Sequence, residues 1–229
     1  MNFIFKKTYS VLSSFLSKKN VFLINSLPYL KRNRRIPLNR FDFVRYSTLE
    51  LCAEEIYAGN VMGSVAELGV YKGEFAKELN LVFPDRSLYL FDTFEGFSKN
   101  DIDTEIQNNF SSGKQDFSDT SVEIVLSKMK FRDKCIVKKG FFPGSAEGVN
   151  DTFCFVSIDA DLYDPIYSGL NYFFPRLQPG GFIFVHDFNN EEYKGAREAV
   201  LKFCSESKST YVPITDVGGT AVIRKSKNI

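Results

Sequence analysis

Short apolar runs alternate with amphipathic segments along most of this 229-residue chain. Near-continuous apolar runs are typical of buried strands in a parallel sheet, and apolar residues at helical spacing are typical of the helices that cover it. Strands are predicted at 64–67, 88–92, 135–137, 153–158 and 182–185. Helices are predicted from Phe41 to about Asn60, Gly73 to Val82, Thr120 to Met129, Asp164 to Pro179, and Lys194 to Cys204. The pattern predicts an α/β fold with helices on both faces of a mostly parallel sheet.

Three local signals refine this outline. The runs Tyr211–Ile214 and Thr220–Arg224 are joined by a turn with two glycines, which predicts an antiparallel hairpin at the sheet edge. Thr120 and Glu123 have the spacing of a capping box at the start of a helix. The polar stretch from 98 to 119 shows little periodicity, and long loops of this kind are often active-site lids.

The first 40 residues differ in composition from the rest of the chain. They mix apolar pieces with basic clusters at Lys18-Lys19 and between Lys31 and Arg35. We interpret residues 1–40 as an N-terminal extension and residues 41–229 as one domain. The extension is expected to pack on this domain or on a partner subunit of a homo-oligomer. A second hypothesis is peripheral contact with an anionic membrane surface through the basic clusters.

Charge and cysteine content narrow the class of protein. The formal net charge of +1 argues against a protein that binds nucleic acid, because such proteins carry a basic excess. The four cysteines lie far apart without a C-x-x-C pair, so reduced thiols are expected and a zinc site is not. No run reaches the roughly 20 apolar residues that a membrane-spanning helix needs. Composition predicts a soluble cytoplasmic protein.

The first predicted β-α-β unit carries candidate binding residues. Its first strand contains Glu67 and is followed by Gly69 and Gly73, and its second strand ends in Asp92. An acid at that position is placed to bind the hydroxyls of a ribose. The spacing G-x-x-x-G differs from the G-x-G-x-x-G that approaches a pyrophosphate, which favours S-adenosylmethionine, a ligand with ribose but no diphosphate. In a second interpretation, Glu67 caps the helix that begins near Gly73.

The third predicted strand adds two residues to the same edge, because the carboxyl ends of parallel strands meet there. Gly140 and Phe141 follow this strand and are expected to border the adenine of the ligand. Phe141 would stack on the adenine or, alternatively, pack in the protein core.

Three aspartates at neighbouring strand ends indicate a metal site. Asp159, Asp161 and Asp187 would repel one another unless a cation neutralised them, and oxygen-only ligation suits Mg²⁺. A second interpretation of Asp161 and Asp187 is that each caps the helix that follows it. His186, the only histidine in the chain, is a general base, an orienting residue for the substrate, or a hydrogen-bonded structural residue.

Four motifs, in order along the chain, resemble one known family of enzymes. They are AELGVYKG (66–73), LYLFDTFEGF (88–97), SIDADLYDP (157–165) and PGGFIFVHD (179–187). Together they are similar to the macrocin and mycinamicin O-methyltransferases, over about Phe41 to Arg224. The resemblance implies a class I methyltransferase fold, a Rossmann-like sheet of seven mostly parallel strands with the last antiparallel. It also implies Mg²⁺-dependent methyl transfer from S-adenosylmethionine to a sugar hydroxyl.

The resemblance also implies roles for individual residues. The cofactor loop and the ribose-binding acid match Glu67, Gly69, Gly73 and Asp92. The metal-ligand aspartates match Asp159 and Asp187, and the third protein ligand stays open between Asp161 and Asn189. Either Asp159 or His186 would take the proton from the acceptor hydroxyl.

The last expectations concern the methyl acceptor and two functions that are alternatives to methyl transfer. A sugar or glycosylated small molecule is the expected acceptor, and residues 98–118 are expected to choose among acceptors. A nicotinamide-dependent oxidoreductase shares the β-α-β unit but has a different glycine spacing. A non-catalytic scaffold that binds the cofactor during glycan assembly is the second rival, disfavoured by the acids at the strand ends.

Overall fold

The computed structural model describes residues 11–16, 18–19 and 42–226. The chain divides into two compact units, Met1–Arg34 and Arg35–Ile229. Most of the predicted N-terminal extension lies outside the described residues, so its expected contact with a partner subunit or a membrane stays a prediction. Within the described ranges, no helix is long and apolar enough to cross a membrane.

A seven-stranded sheet forms the centre of the second unit. Its strands are β1 (Ser64–Leu68), β2 (Leu88–Asp92), β3 (Cys135–Lys139), β4 (Phe153–Ile158), β5 (Leu177–Val185), β6 (Tyr211–Ile214) and β7 (Thr220–Arg224). They lie in the order β3-β2-β1-β4-β5-β7-β6. The pairs among β1 to β5 are parallel, and β7 pairs antiparallel with both β5 and β6. The predicted sheet and its antiparallel last strand are therefore confirmed.

Helices cover both faces of this sheet, as the apolar strands require. The α-helices of the unit are α1 (Phe43–Ala58), α2 (Glu74–Val82), α3 (Lys99–Gln107), α4 (Val122–Ser127), α5 (Tyr163–Arg176) and α6 (Lys194–Ser207). Short 3₁₀ turns span Arg132–Lys134 and Gly144–Ala146. Buried side chains of α1 and α2 belong to one core, and those of α5 and α6 belong to the core on the opposite face.

Phenylalanine rings account for much of both cores. On one face, Phe173 of α5 lies edge-on to Phe91 and Phe153, with centroids 5.6 and 5.2 Å away. On the other face, Phe155 contacts Phe184 at 4.8 Å between centroids. Edge-to-face pairs of this kind add stability beyond burial of their area. Many of the 24 phenylalanines therefore serve packing.

The boundary between α5 and β5 differs from the prediction. The helix begins at Tyr163 and ends at Arg176, whereas β5 begins at Leu177 and includes Pro179. The Pro-Gly-Gly segment thus lies inside a strand and does not end the helix. Between two successive pairs, Leu177 with Phe153 and Phe182 with Phe155, the strand register shifts. Proline and glycine are tolerated at such an irregularity, because regular ladder bonds are interrupted there.

The capping box predicted at Thr120 is wrong by one residue. Ser121 is the cap of α4, because its hydroxyl accepts a hydrogen bond from the Ile124 amide at 3.2 Å. The Thr120 hydroxyl donates instead to the backbone carbonyl of Tyr71. Thr120 therefore ties the start of α4 to the turn after β1.

The polar stretch from 98 to 119 contains a helix that the sequence pattern did not predict. The hydroxyl of Ser98 accepts from the Asp101 amide at 3.2 Å and caps α3. The buried residues of this helix are Asp101 and Glu105, so its inward face is acidic and an apolar stripe is missing. Periodicity of apolar residues could not reveal such a helix.

Candidate active site

A cavity of about 440 Å³ lies at the carboxyl edge of the sheet. Its wall includes Glu67, Asp92, Asp159 and Asp187, which stand at or near the ends of β1, β2, β4 and β5. Gly140, directly after β3, is also part of the wall. The structure thus brings the residues that follow five different strands to one cavity.

The turn after β1 requires glycine because it runs close to β4. Gly69 has a φ of +82°, and a Cβ atom added there would lie 2.0 Å from the backbone oxygen of Asp159. Gly73 has a φ of +76° and precedes the first residue of α2. Side chains are strained at such angles, so both positions favour glycine. The turn forms part of the cavity wall at Gly69, where its backbone is accessible to a ligand.

Asp92 organises this turn through its carboxylate. One oxygen, Oδ2, accepts hydrogen bonds from the amides of Val70 at 2.7 Å and Tyr71 at 2.8 Å. The other, Oδ1, accepts from the Phe94 amide at 2.6 Å. Carboxylates can accept several hydrogen bonds, so Asp92 can hold the turn and still face a ribose from the cavity wall.

Glu67 is buried behind the turn, with a side chain only 1% exposed. Burial, followed by the nearby Asp159 carboxylate, raises its pKa well above the usual range. The backbone of Ala76, in the first turn of α2, forms a hydrogen bond with this carboxyl group. The interpretation of Glu67 as a cap therefore has direct support, and Glu67 also lines the cavity.

Gly140 and Phe141 lie beside Asp92. The Gly140 amide donates to the backbone oxygen of Asp92 at 2.9 Å. Phe141 is 50% exposed at the cavity, whereas the next residue, Phe142, is buried against Phe91. Of the two interpretations of Phe141, its exposure favours contact with a ligand over packing in the core.

A cluster of acidic side chains around His186 lines the same cavity. The His186 Nδ1 atom lies 3.1 Å from Asp159 Oδ1 and 2.9 Å from Asp187 Oδ2, and His186 Nε2 lies 2.7 Å from the Val217 carbonyl oxygen. Burial lowers the pKa of His186, but the Asp159 carboxylate outweighs this effect and raises the pKa to about 10. The carboxylates beside Nδ1 and the Val217 carbonyl oxygen beside Nε2 both favour a proton on the ring nitrogen that faces them.

Asp161 is the third acid of this cluster. It lines the cavity with a φ of +58°, a strained angle for a residue other than glycine. Burial, followed by the Asp159 and Asp187 carboxylates, raises the pKa of Asp161 well above its usual range. Asn189, the other candidate for a third metal ligand, instead accepts from Arg197 Nη1 at 3.0 Å through its Oδ1. Of these two residues, Asp161 is the one in the cavity wall.

The donor atoms fit a hard divalent cation. Ligand atoms of Asp159, His186 and Asp187 all lie within 4.8 Å of one another. Burial raises the pKa of Asp161 most, and the neighbouring Asp159 and Asp187 carboxylates raise it further, a repulsion that a cation would relieve. Carboxylate oxygens from neighbouring strand ends are the ligands that Mg²⁺ prefers.

One charged residue of the site, Arg45 on α1, was not predicted from the sequence. Its Nη2 atom lies 3.0 Å from Asp159 Oδ2, and its side chain is 7% exposed. Burial would raise the pKa of Asp159, but Arg45 and then His186 outweigh it and lower that pKa. The available signal was an arginine among the apolar positions of α1, which alone does not indicate its partner.

Comparison with solved structures identifies the class of this fold. The O-methyltransferase NovP superposes with a TM-score of 0.66 at 19% identity, over 80% of each chain. A calicheamicin methyltransferase superposes with a TM-score of 0.61 at 18% identity, over 98% of this chain and 93% of the other. The fold is that of the class I methyltransferases.

Sequence relatives define the family within this class. The family model Macrocin-O-methyltransferase (TylF) matches residues 42–225. The 8-demethyl-8-(2,3-dimethoxy-α-L-rhamnosyl)-tetracenomycin-C 4'-O-methyltransferase of Streptomyces olivaceus is 24% identical over 190 residues, 78% of this chain and 71% of the relative. The mycinamicin III 3''-O-methyltransferase of Micromonospora griseorubida is 27% identical over 174 residues, 69% and 67% of the two chains. This chain belongs to the macrocin O-methyltransferase family and is an O-methyltransferase.

Proposed function

We propose that this enzyme transfers the methyl group of S-adenosylmethionine to a hydroxyl of a sugar or glycoside, and that Mg²⁺ assists the transfer. The observation that carries the proposal is the position of the Asp159 and Asp187 carboxylates in the wall of the cavity that the glycine turn also forms. A donor held at the turn would direct its methyl group toward an acceptor held at the acids.

The donor half of the cavity suits S-adenosylmethionine. Asp92 would accept hydrogen bonds from the ribose hydroxyls while it holds the turn through two amides. Phe141 offers an exposed aromatic face to the adenine. Glu67 and the turn at Gly69 would border the amino-acid end of the donor. These contacts use the backbone, carboxyl groups and an aromatic ring, as expected for a ligand with a ribose and an adenine but no phosphate.

The acceptor half would hold Mg²⁺ between Asp159 and Asp187. When bound, the ion supplies Lewis-acid polarisation of the acceptor hydroxyl, which holds its proton too tightly at neutral pH. Asp159 is ionised between Arg45 and His186, which suits a metal ligand better than a base. Asp161 is the remaining carboxylate of the cluster in the same cavity wall, so we assign proton acceptance to Asp161. His186 faces the two ligand carboxylates through Nδ1 and orients them.

The sugar acceptor is supported by the names of the sequence relatives. One relative is named for the 4'-hydroxyl of a rhamnosyl group and another for the 3''-position of mycinamicin III. Membership in the family also favours methyl transfer over the two rivals, hydride transfer with a nicotinamide cofactor and a non-catalytic scaffold. The expected homo-oligomer stays a prediction.

Labelled S-adenosylmethionine, incubated with a panel of rhamnosides and other glycosides, tests the proposal. We expect transfer of label that requires Mg²⁺, stops with chelator and returns when Mg²⁺ is added in excess. Asp187→Asn keeps size but removes charge, so turnover should fall by at least about a hundredfold. Asp133→Asn removes an exposed acid elsewhere and is the matched control. Full turnover in excess chelator would exclude the metal, and transfer to no glycoside in the panel would count against a sugar acceptor.

A further inference from the structure

Arg45 is held rigidly at the base of the acidic cluster. It lies in the first turn of α1, where the Asp42 side chain accepts from the Arg45 amide at 3.3 Å and caps the helix. The guanidinium carbon lies 3.9 Å from the centroid of the Phe75 ring, a cation–π distance. Its Nη2 atom reaches both Ser157 Oγ at 3.4 Å and Asp159 Oδ2 at 3.0 Å. The ring contact and the two hydrogen bonds from Nη2 thus hold the guanidinium between Phe75 and the end of β4.

The two oxygens of the Asp159 carboxylate have different partners. Arg45 occupies Oδ2, whereas Oδ1 points to the side of His186 and Asp187, 3.1 Å from His186 Nδ1. Ser157 lies on β4 and Asp159 directly follows this strand, so Arg45 contacts the last part of β4 and the residue after it. The arginine therefore sets both the end of β4 and the rotation of the carboxylate that follows it.

We propose that Arg45 is a positioning residue for Asp159, which keeps Oδ1 directed at the Mg²⁺ position between Asp159 and Asp187. This inference rests on the metal site of the proposed function. Carboxylates that ligate metals are commonly held by hydrogen bonds to their other oxygen, and loss of such a partner typically weakens metal affinity by about 10- to 100-fold. The opposing effect is repulsion between the guanidinium and the ion, which would make removal of Arg45 strengthen binding.

Titration with Mn²⁺, a paramagnetic substitute for Mg²⁺, tests the inference on the full chain. We expect Arg45→Met to weaken Mn²⁺ affinity at least about tenfold and to leave affinity for S-adenosylhomocysteine unchanged. Arg45→Lys should recover only part of the affinity, because a single ammonium does not reproduce the planar guanidinium. Arg86→Met is the matched control. Like Arg45, Arg86 is largely buried and lies against an aromatic ring, that of Tyr57, but it donates its hydrogen bond to the Gly63 carbonyl.

The outcomes separate this inference from the proposed function. Mn²⁺ affinity that is equal or higher in Arg45→Met overturns the positioning role and leaves the metal site standing. Loss of S-adenosylhomocysteine binding with unchanged Mn²⁺ affinity assigns Arg45 to the donor and also overturns the inference. If wild-type protein binds no Mn²⁺, the metal site and this inference fall together. Should Arg45→Met fail to fold, Ser157→Ala removes the second anchor of the guanidinium and is expected to lower Mn²⁺ affinity in the same direction.

Discussion

Single side chains in this enzyme serve the fold and the site at once, and Asp92 is the clearest case. Its carboxylate holds the turn after β1 and faces the cavity. Each hydrogen bond to an ionised acceptor contributes about 1.5–3 kcal/mol, so Asp92→Ala should weaken S-adenosylmethionine binding at least about tenfold. Calorimetric titration measures this loss, and a circular dichroism melt checks that the variant is folded.

A matched variant controls for the loss of one acidic side chain. Asp133→Ala removes an exposed acid on a 3₁₀ turn, so it should bind the donor as wild type does. Equal affinity in Asp92→Ala and Asp133→Ala would show that the ribose does not depend on Asp92.

Residues of the site differ in how well the sequence predicts them. Asp92, Asp159 and Asp187 could be predicted because each follows a recognisable apolar strand, and strand ends meet at one edge of a parallel sheet. Arg45 could not, since its partner Asp159 lies 114 positions away and α1 precedes the first strand. The packing of α1 against the sheet brings them together, and no local pattern encodes that contact.

At the scale of elements, α3 joins the predicted lid to the loop that carries Asp161. The side chain of Glu105 accepts from the Tyr163 amide at 2.8 Å, at the start of α5. Leu162, the residue before α5, is apolar and cannot cap the helix itself. Gly195 leaves space for this contact, because a Cβ atom there would lie 2.5 Å from Glu105 Oε1. Helix α3 of the predicted lid thus caps α5 through the side chain of Glu105.

Removal of this cap should destabilise the whole domain. Glu105→Ala leaves the first turn of α5 without its acceptor, and loss of a cap lowers the free energy of unfolding by about 0.5–2 kcal/mol. Glu105→Gln keeps an acceptor oxygen and should be close to wild type. Asp103→Ala, on the exposed side of α3, is the control with an expected change within about 0.5 kcal/mol. Urea unfolding measures all three, and equal midpoints for Glu105→Ala and Asp103→Ala would refute the cap.

The elements that the sequence failed to predict share a physical cause. The buried face of α3 is acidic, and the start of β5 contains Pro179 and two glycines. Tertiary contacts decide both elements, through the bond from Tyr163 to Glu105 and the pairing of Leu177 with Phe153. Local propensity favours other structures at these positions. Hydrophobic periodicity therefore predicts the buried strands correctly but does not predict these two elements.

At the scale of the molecule, the domain from α1 to β7 holds everything that the proposed chemistry requires. Both hydrophobic cores draw their buried residues from 49–223, and the cavity wall runs from Arg45 to Asp187. The order β3-β2-β1-β4-β5 places β1 and β4 side by side at the centre of the parallel strands. The turn after β1 and the acids after β4 are therefore neighbours, as the proposed alignment of donor and acceptor requires.

This arrangement predicts the behaviour of a chain that begins at Arg35, the first residue of the second unit. The truncated protein should unfold cooperatively and bind S-adenosylhomocysteine within about threefold of the full chain, a difference below about 0.7 kcal/mol. Two roles are expected of residues 1–40, assembly and membrane contact. Light scattering compares the assembly of the two chains, and sedimentation with phosphatidylserine vesicles compares their membrane contact. Because the basic clusters at Lys18-Lys19 and from Lys31 to Arg34 are removed, vesicle binding, if the full chain shows it, should be lost. A truncated chain that is folded but does not bind S-adenosylhomocysteine would instead show that the N-terminal segment completes the donor site.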